Sequence, residues 1–449
     1  MAEAHASPLP AAAPPPRPVD PLGWTWALTG LFALLAGWRL ATPSILYFDE
    51  VHYIPAAREW LKLIETGSGW YRNREHPLLG KELIALGMLV FGDNPLGWRI
   101  VPWLSGVIAF FAATRAMWHA SRERFATLAF AVLLASGFHL FVHARIAMLD
   151  PVMVAALMVA TWQFAAACAQ PEQGRWRLAL TGVAIGAAIG AKWNAAPLAV
   201  VPGITFFIAR AFAGRRRLLL SRRGAPVPGI TLFEAFLWLG IVPLTVYAAT
   251  YLPGYWLSEI LHPSPLAEKG FIGLHREMIE LQSGLKTPHR YMSTWPQWVL
   301  DTRGIWYLYE PIDGAQRGVL LIGNPLTMLL GLPALAWCLW RGAWTRGGAK
   351  RDWARLGAAL GYAAALGLWV IAPKPTQFYY HYFTPSIFLL AALALACGDL
   401  VRTTRGRLLG WAIPAASLAV FAWFYPILSA LPLKGPMSYL TWTWLEGWK

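Results

Sequence analysis

The chain has 449 residues, 57% of them hydrophobic and only 14% charged, with a formal net charge of +15. Soluble domains hold roughly 25% charged residues, so this composition excludes a soluble globular protein and predicts a polytopic membrane protein. The basic excess does not point to nucleic acid, because much of it lies in short loops between apolar runs, and Cys168, Cys338 and Cys397 form no CxxC pair that would indicate zinc or a disulfide framework.

Residues 1–22 are rich in Ala and Pro and lack a signal-peptide pattern, which predicts a disordered lead-in. Residues 23–449 read as one transmembrane domain. Crossing a bilayer takes roughly 20 apolar residues, and apolar runs place spans near 24–41, 97–115, 125–142, 149–168, 177–191, 193–210, 229–250, 317–340, 353–372, 382–399 and 408–428. The expected fold class is therefore an all-α polytopic membrane protein with about eleven transmembrane helices. Lys192, Asn194 and Pro197 interrupt the region 177–210, which reads as two short or broken helices.

Cytoplasmic loops carry an excess of Lys and Arg. With a cytoplasmic N-terminus, the inner loops hold Arg122 and Arg124, then Arg215–Arg217 with Arg222 and Arg223, then Arg341, Arg346, Lys350 and Arg351, then Arg402, Arg405 and Arg407. Two long loops, 42–96 and 251–316, then face outward. The segment WTWLEGWK reads as an outer interfacial anchor. Nearly every unusual polar residue converges on the outer rim.

The first outer loop opens with YFDEVHYIPAAREW. Asp49 and Glu50 stand at the start of an amphipathic helix, where the helix dipole stabilises carboxylates. Capping is the plain account of them, and a base or ligand in a catalytic loop is the functional one. NREHPLLGKELIALGMLVFG follows, with an apolar stretch too short to cross and suited to the interface. Its Arg72, Arg74, His76 and Lys81 suit general attraction to anionic lipid, or one lipid-borne phosphate. In HARIAMLDP, Asp150 reads as an N-cap or as the partner of Arg145 or Lys192. Lys192 and Asn194 lie at the outer end of the broken pair. PHRYMSTWPQW supplies His289 and Trp295, as interfacial belt or as the wall of a sugar pocket. PKPTQFYYHYFTP brings Lys374 and His381 to the same rim. His262, His275 and His289 have no metal-ligand spacing, so no metal ligands are assigned, and a divalent metal stays open. No Walker, Rossmann or GxSxG pattern is present, which leaves no nucleotide site and no cofactor assigned.

In that order FDEVHYIPAAREW, NREHPLLGKELIALGMLVFGDNPLGWR, HARIAMLDPV, AKWN, PHRYMSTWP, GNPL and FYYHYFTP together resemble the bacterial protein O-mannosyltransferases, over roughly residues 24–430. The resemblance implies a GT-C glycosyltransferase fold whose outer loops bear the active site. It implies an inverting hexosyltransferase of the bacterial inner membrane, working on the periplasmic face. The donor would be a polyprenyl-phosphate sugar, with mannose implied by the resemblance alone. The acceptor would be a Ser or Thr hydroxyl of an exported protein. The alternatives are a lipid- or glycan-modifying enzyme like the aminoarabinose transferases and, more distantly, a transporter or flippase. The family's acidic pair matches Asp49 and Glu50, with the first acid catalytic. Arg74, Lys81, Lys374 and His381 are the expected phosphate contacts. His76, Arg145, Asp150, Lys192, Asn194, His289 and Trp295 are expected to support the site or line the acceptor and sugar pocket. Leu78 stands where the family's HPPLGK-like segment has its second proline.

Overall fold

The computed structural model describes residues 18–66, 71–214, 218–261, 265–284, 288–344, 352–371, 374 and 376–449. Residues 1–17 of the expected 1–22 lead-in, Arg346, Lys350 and Arg351 lie outside these, as do His262 and the Arg215–Arg217 run.

The described chain is mostly helical. Its first half runs α1 (Leu22–Gly37), α2 (Glu50–Thr66), α3 (Leu79–Phe91), α4 (Pro95–Ser121), α5 (Arg124–Ala135), α6 (His139–His143), α7 (Asp150–Ala169) and α8 (Gly174–Ala191). A broken stretch follows as α9 (Ala196–Ala199) and α10 (Val201–Gly214), then α11 (Leu232–Phe236) continues through a π-turn into α12 (Val242–Ala249). Next come α13 (Leu252–Leu261), α14 (Pro265–Gly284) and α15 (Trp295–Val299). A hairpin of β1 (Ile305–Ile312) and β2 (Ala315–Leu321) precedes α16 (Pro325–Ala343), α17 (Trp353–Ile371), α18 (Phe383–Val401) and α19 (Arg407–Leu428).

Eight helical stretches among the described residues are long and apolar enough to cross a membrane, and α1 and α5 are shorter apolar helices. The protein is a multi-pass membrane protein. The expected helical fold holds, with one antiparallel hairpin at residues 305–321. One expectation needs correction. The span expected at 317–340 begins only at Pro325, since 317–321 belong to β2. The apolar run VLLI suits helix or strand alike, because a short buried strand and a helix segment look the same by composition. The signal that separates them is Asp313–Gly314. Both residues have positive φ, 51° and 72°, as a two-residue primed hairpin turn requires.

Local chemistry sets the helix starts. Asn94 accepts the N–H groups of Leu96 and Gly97, and Pro95 begins α4. Asn324 does the same for Leu326 ahead of Pro325. In each case a side-chain oxygen takes up an otherwise unpaired amide, and a proline sits where no amide is needed. Gly182, Gly186 and Gly190, four apart on α8, meet Trp238, Pro243 and Thr250 so closely that a Cβ at any of them would collide. Small residues at this spacing let helix backbones approach in a membrane.

The two ends of the bundle differ. At one, Arg355 binds Glu123, Asp352 and Asp399, and Arg402 joins Glu123 and Asp399. At the other, the starts of α2, α7 and α18 and the end of α8 come together, and the hairpin docks on the loop before α2. Ser44 pairs with Asp313 through both its amide and its hydroxyl.

Candidate active site

Asp49 and Glu50 are adjacent, and the fold treats them oppositely. Glu50 is fully enclosed. Its Oε1 and Oε2 accept from the Nε and Nη2 of Arg99, each at 2.8 Å, and Oε1 also accepts the Ala147 amide at 2.9 Å. Arg99 spends its remaining donors on the carbonyls of Pro43 and Ile45. The pair ties the loop before α2 to α4 and to the segment before α7. Glu50 was expected beside Asp49 as a catalytic acid. Its oxygens are occupied inside the protein, so it positions that loop and does not face the site.

The Asp49 side chain stays partly exposed and has no hydrogen-bond or ion-pair partner among the described residues. Packing around it pushes its pKa up to about 6, against the opposing pull of Lys192, while Asp150 adds a further upward push. Burial disfavours the charged carboxylate, and a nearby cation favours it.

Asp150 and Lys192 form a buried ion pair at 2.7 Å, joining the start of α7 to the end of α8. The Lys192 ammonium also lies 5.1 Å from the Tyr380 ring centre. Arg145, the other expected partner of Asp150, donates instead to the carbonyls of Ala36 and Trp38 and holds the end of α1. Asn194 and His381 line a small cleft with Asp150, Tyr380 and Thr384. His381 accepts the Phe378 amide at 3.1 Å and lies 3.9 Å from the Trp369 ring. His76 is held well below the usual histidine range by burial, with Lys192, Lys81 and Lys374 adding to the effect.

The expected phosphate contacts separate by their surroundings. Lys81 is fully buried, and its ammonium donates to the carbonyls of Asn73 at 2.7 Å, His76 at 2.9 Å and Arg72 at 3.5 Å. An ammonium has three donors. Lys81 thus holds the 72–76 loop and offers phosphate none, and burial lowers its pKa to about 7. Arg74 is paired with Glu277 of α14 at 3.0 Å, and Lys269 reaches the same carboxylate. Lys374 is partly exposed and has no partner among the described residues. Burial lowers its pKa, Lys192 lowers it further, and Glu75 and Asp49 oppose that. Lys374 thus shares one electrostatic neighbourhood with Asp49 and Lys192.

His289 and Trp295 are not gathered in. His289 is exposed and accepts the Tyr291 amide, and Trp295 is 37% exposed at the start of α15. His275 is bound to the Tyr247 hydroxyl at 2.6 Å. No group of three or more His, Cys, Asp or Glu suited to a metal occurs among the described residues.

Residues not anticipated from the sequence stand next to the Asp49 loop. A cavity of about 500 Å³ lies beside the Asp49 loop, walled by Tyr47 and Phe48 and by residues of the hairpin. Phe48 stacks on Tyr307 with ring centres 4.0 Å apart, and the Tyr307 hydroxyl meets His143 Nε2 at 3.2 Å. The Asp313–Gly314 turn flanked by apolar and aromatic residues was the signal that would have found this wall.

The fold is that of the GT-C membrane glycosyltransferases, and at one end of its helical bundle an acidic side chain stands free beside cations. The chain resembles the yeast (S. cerevisiae) protein O-mannosyltransferase Pmt1–Pmt2 complex bound to the sugar donor, with a TM-score of 0.77 at 14% identity over 96% of this chain and 93% of that one. It also resembles ArnT of Cupriavidus metallidurans bound to undecaprenyl phosphate, with a TM-score of 0.57 at 15% identity over 90% of this chain and 64% of that one. Residues 91–258 match the dolichyl-phosphate-mannose-protein mannosyltransferase family, and residues 267–448 match the C-terminal four-transmembrane region of protein-O-mannosyltransferase. The polyprenol-phosphate-mannose–protein mannosyltransferase of Mycolicibacterium smegmatis is 29% identical, across 97% of this chain and 95% of that protein. The chain belongs to the protein O-mannosyltransferase family.

Proposed function

We propose that this protein transfers mannose from a polyprenyl-phosphate-mannose donor to a Ser or Thr hydroxyl of an exported protein, with inversion, at the outer face of the bacterial inner membrane. Family membership supports the reaction. The observation that carries the site is the free, partly exposed Asp49 carboxylate beside Lys192, Asp150 and Lys374. The basic loops support the orientation, with the N-terminus inside.

In this reading Asp49 accepts the proton of the acceptor hydroxyl as its oxygen attacks the anomeric carbon. The new C–O bond forms opposite the bond to phosphate, which breaks with its electron pair leaving as polyprenyl phosphate. A general base of this kind contributes on the order of 10²–10⁴-fold. The raised pKa of Asp49 suits the role, because the carboxylate is mostly ionised at neutral pH and more basic than an ordinary one. The leaving group is already a stable anion and needs a cation rather than an acid. Lys374, which has no partner among the described residues, has donors to spare. Lys192 neutralises Asp150 and keeps that acid from competing for the proton.

Purified protein incubated with polyprenyl-phosphate-mannose and an exported Ser/Thr-rich substrate should yield hexose on Ser or Thr by mass spectrometry. Hexose appearing only on lipid or glycan would overturn the assignment of the acceptor.

A further inference from the structure

Five consecutive residues of β1, Trp306 to Glu310, line the 500 Å³ cavity, and no residue of β2 does. Side chains alternate across a strand, so a cavity on one face of a sheet meets every second residue. The single irregularity, between Trp306 and Leu308, shifts that alternation once and does not account for an unbroken run of five. The cavity follows the edge of the strand.

That edge makes no backbone pairing of its own, although Trp306, Tyr307 and Leu308 are buried and the C-terminal segment lies beside them, with Trp306 Nε1 donating to the Trp448 carbonyl. The sheet has two strands, and β1 bonds only to β2. Among the described residues no backbone hydrogen bond joins residues 306–310 to any other segment. The far edge differs, since Leu433 donates its amide to Gln316 on β2. An open edge is a template for another extended chain. Pro311, which has no amide to donate, closes the run. On the groove wall Phe48 stacks on Tyr307, and Asp49, the residue after Phe48, stands next to the wall without lining it. The carboxylates of Asp49 and Asp150 both act on the Tyr307 hydroxyl.

We propose that this groove receives the acceptor as an extended polypeptide, which adds a strand to the free edge of β1 and so carries a Ser or Thr hydroxyl to Asp49. The inference rests on the reading of the protein as a protein mannosyltransferase and gives that reaction its mode of acceptor recognition. Strand addition takes affinity from the peptide backbone, and pockets see only alternate side chains. It therefore suits an enzyme that modifies many sequences. A lipid or glycan acceptor has no such backbone.

The test uses the unaltered protein in membranes, a donor of polyprenyl-phosphate-mannose, and a set of acceptor peptides with a single Thr. Each peptide carries one N-methyl group at successive positions around the Thr. A backbone hydrogen bond lost within a paired strand should lower kcat/KM roughly tenfold. The expected result is a period of two, with loss at alternate positions and tolerance between them. Transfer to the parent peptide with uniform or no sensitivity to methylation overturns strand addition alone. Failure of the unmethylated parent peptide and of intact exported protein alike overturns the protein-acceptor reading, and this inference with it.

Discussion

Both oxygens of Glu50 meet the guanidinium of Arg99 at 2.8 Å, with neither side chain exposed. The residue before it, Asp49, has no such partner. One pair of adjacent acids is thus divided into an anchor and a free carboxylate, and the two should fail in different ways.

Glu50→Ala leaves Arg99 buried without its counter-charge. Breaking such a pair costs about 3–5 kcal/mol. We expect a sharply lower Tm in detergent and little folded protein. A Glu50→Ala protein that melts like the parent would refute the anchoring role.

Asp49→Asn removes no hydrogen bond or ion pair and takes away a charge that burial disfavours, so at neutral pH its Tm should be no lower than the parent's. Transfer should fall by roughly 10²–10⁴-fold. In the parent, kcat/KM should rise with pH through about 6, where Asp49 becomes ionised. The variant should lose that limb. A folded Asp49→Asn protein with full activity would sink the assignment.

Lys374 and Lys81 should separate in kinetics. Loss of a charge-assisted contact is worth about 1.5–3 kcal/mol, so Lys374→Ala should raise the KM for donor roughly tenfold or more, with little change in the KM for acceptor. Lys81→Met should instead loosen the 72–76 loop, which is read as faster proteolysis there and a lower Tm. Equal effects of Lys374→Ala on both substrates would argue against a phosphate contact.

Asp301 gives a pH signature of stability. Its Oδ1 accepts from the Tyr379 hydroxyl at 2.6 Å and the Gly323 amide at 2.9 Å, and its buried Oδ2 has no partner. Burial pushes its pKa up to about 7 from 3.8. Between those values the folded protein keeps a proton that the unfolded chain releases, so stability falls as pH rises through the window. Asp301→Asn should flatten the dependence of Tm on pH between about 4 and 7. An unchanged slope in the variant would exclude Asp301 as its source.

Much of the site was legible in sequence because its residues fall near helix ends. Asp49, Asp150, Lys192 and Lys374 do, and charge near the membrane is costly unless it is used or paired. Their sequence separations gave no pairing. Arg145 and Lys192 were equal candidates for Asp150, and only the packing of α7 on α8 chose Lys192. Lys81 looked like a phosphate ligand because a lysine near an interface has the right charge. Its capture by three carbonyls depends on how the nearby 72–76 loop folds back over the start of α3, which residue type and charge do not reveal.

The sequence by itself determined that the chain is a helical membrane protein, where most of its spans lie, and which family it resembles. Those properties follow from composition, apolar run length and local motif order, each of which is written along the chain. Tertiary structure decided which acid is free, which cation is unspent and that a hairpin walls the cavity. These depend on contacts between residues such as Glu50 and Arg99, 49 positions apart, or Phe48 and Tyr307. Burial and pairing across such distances set charge and access, and no local pattern encodes them.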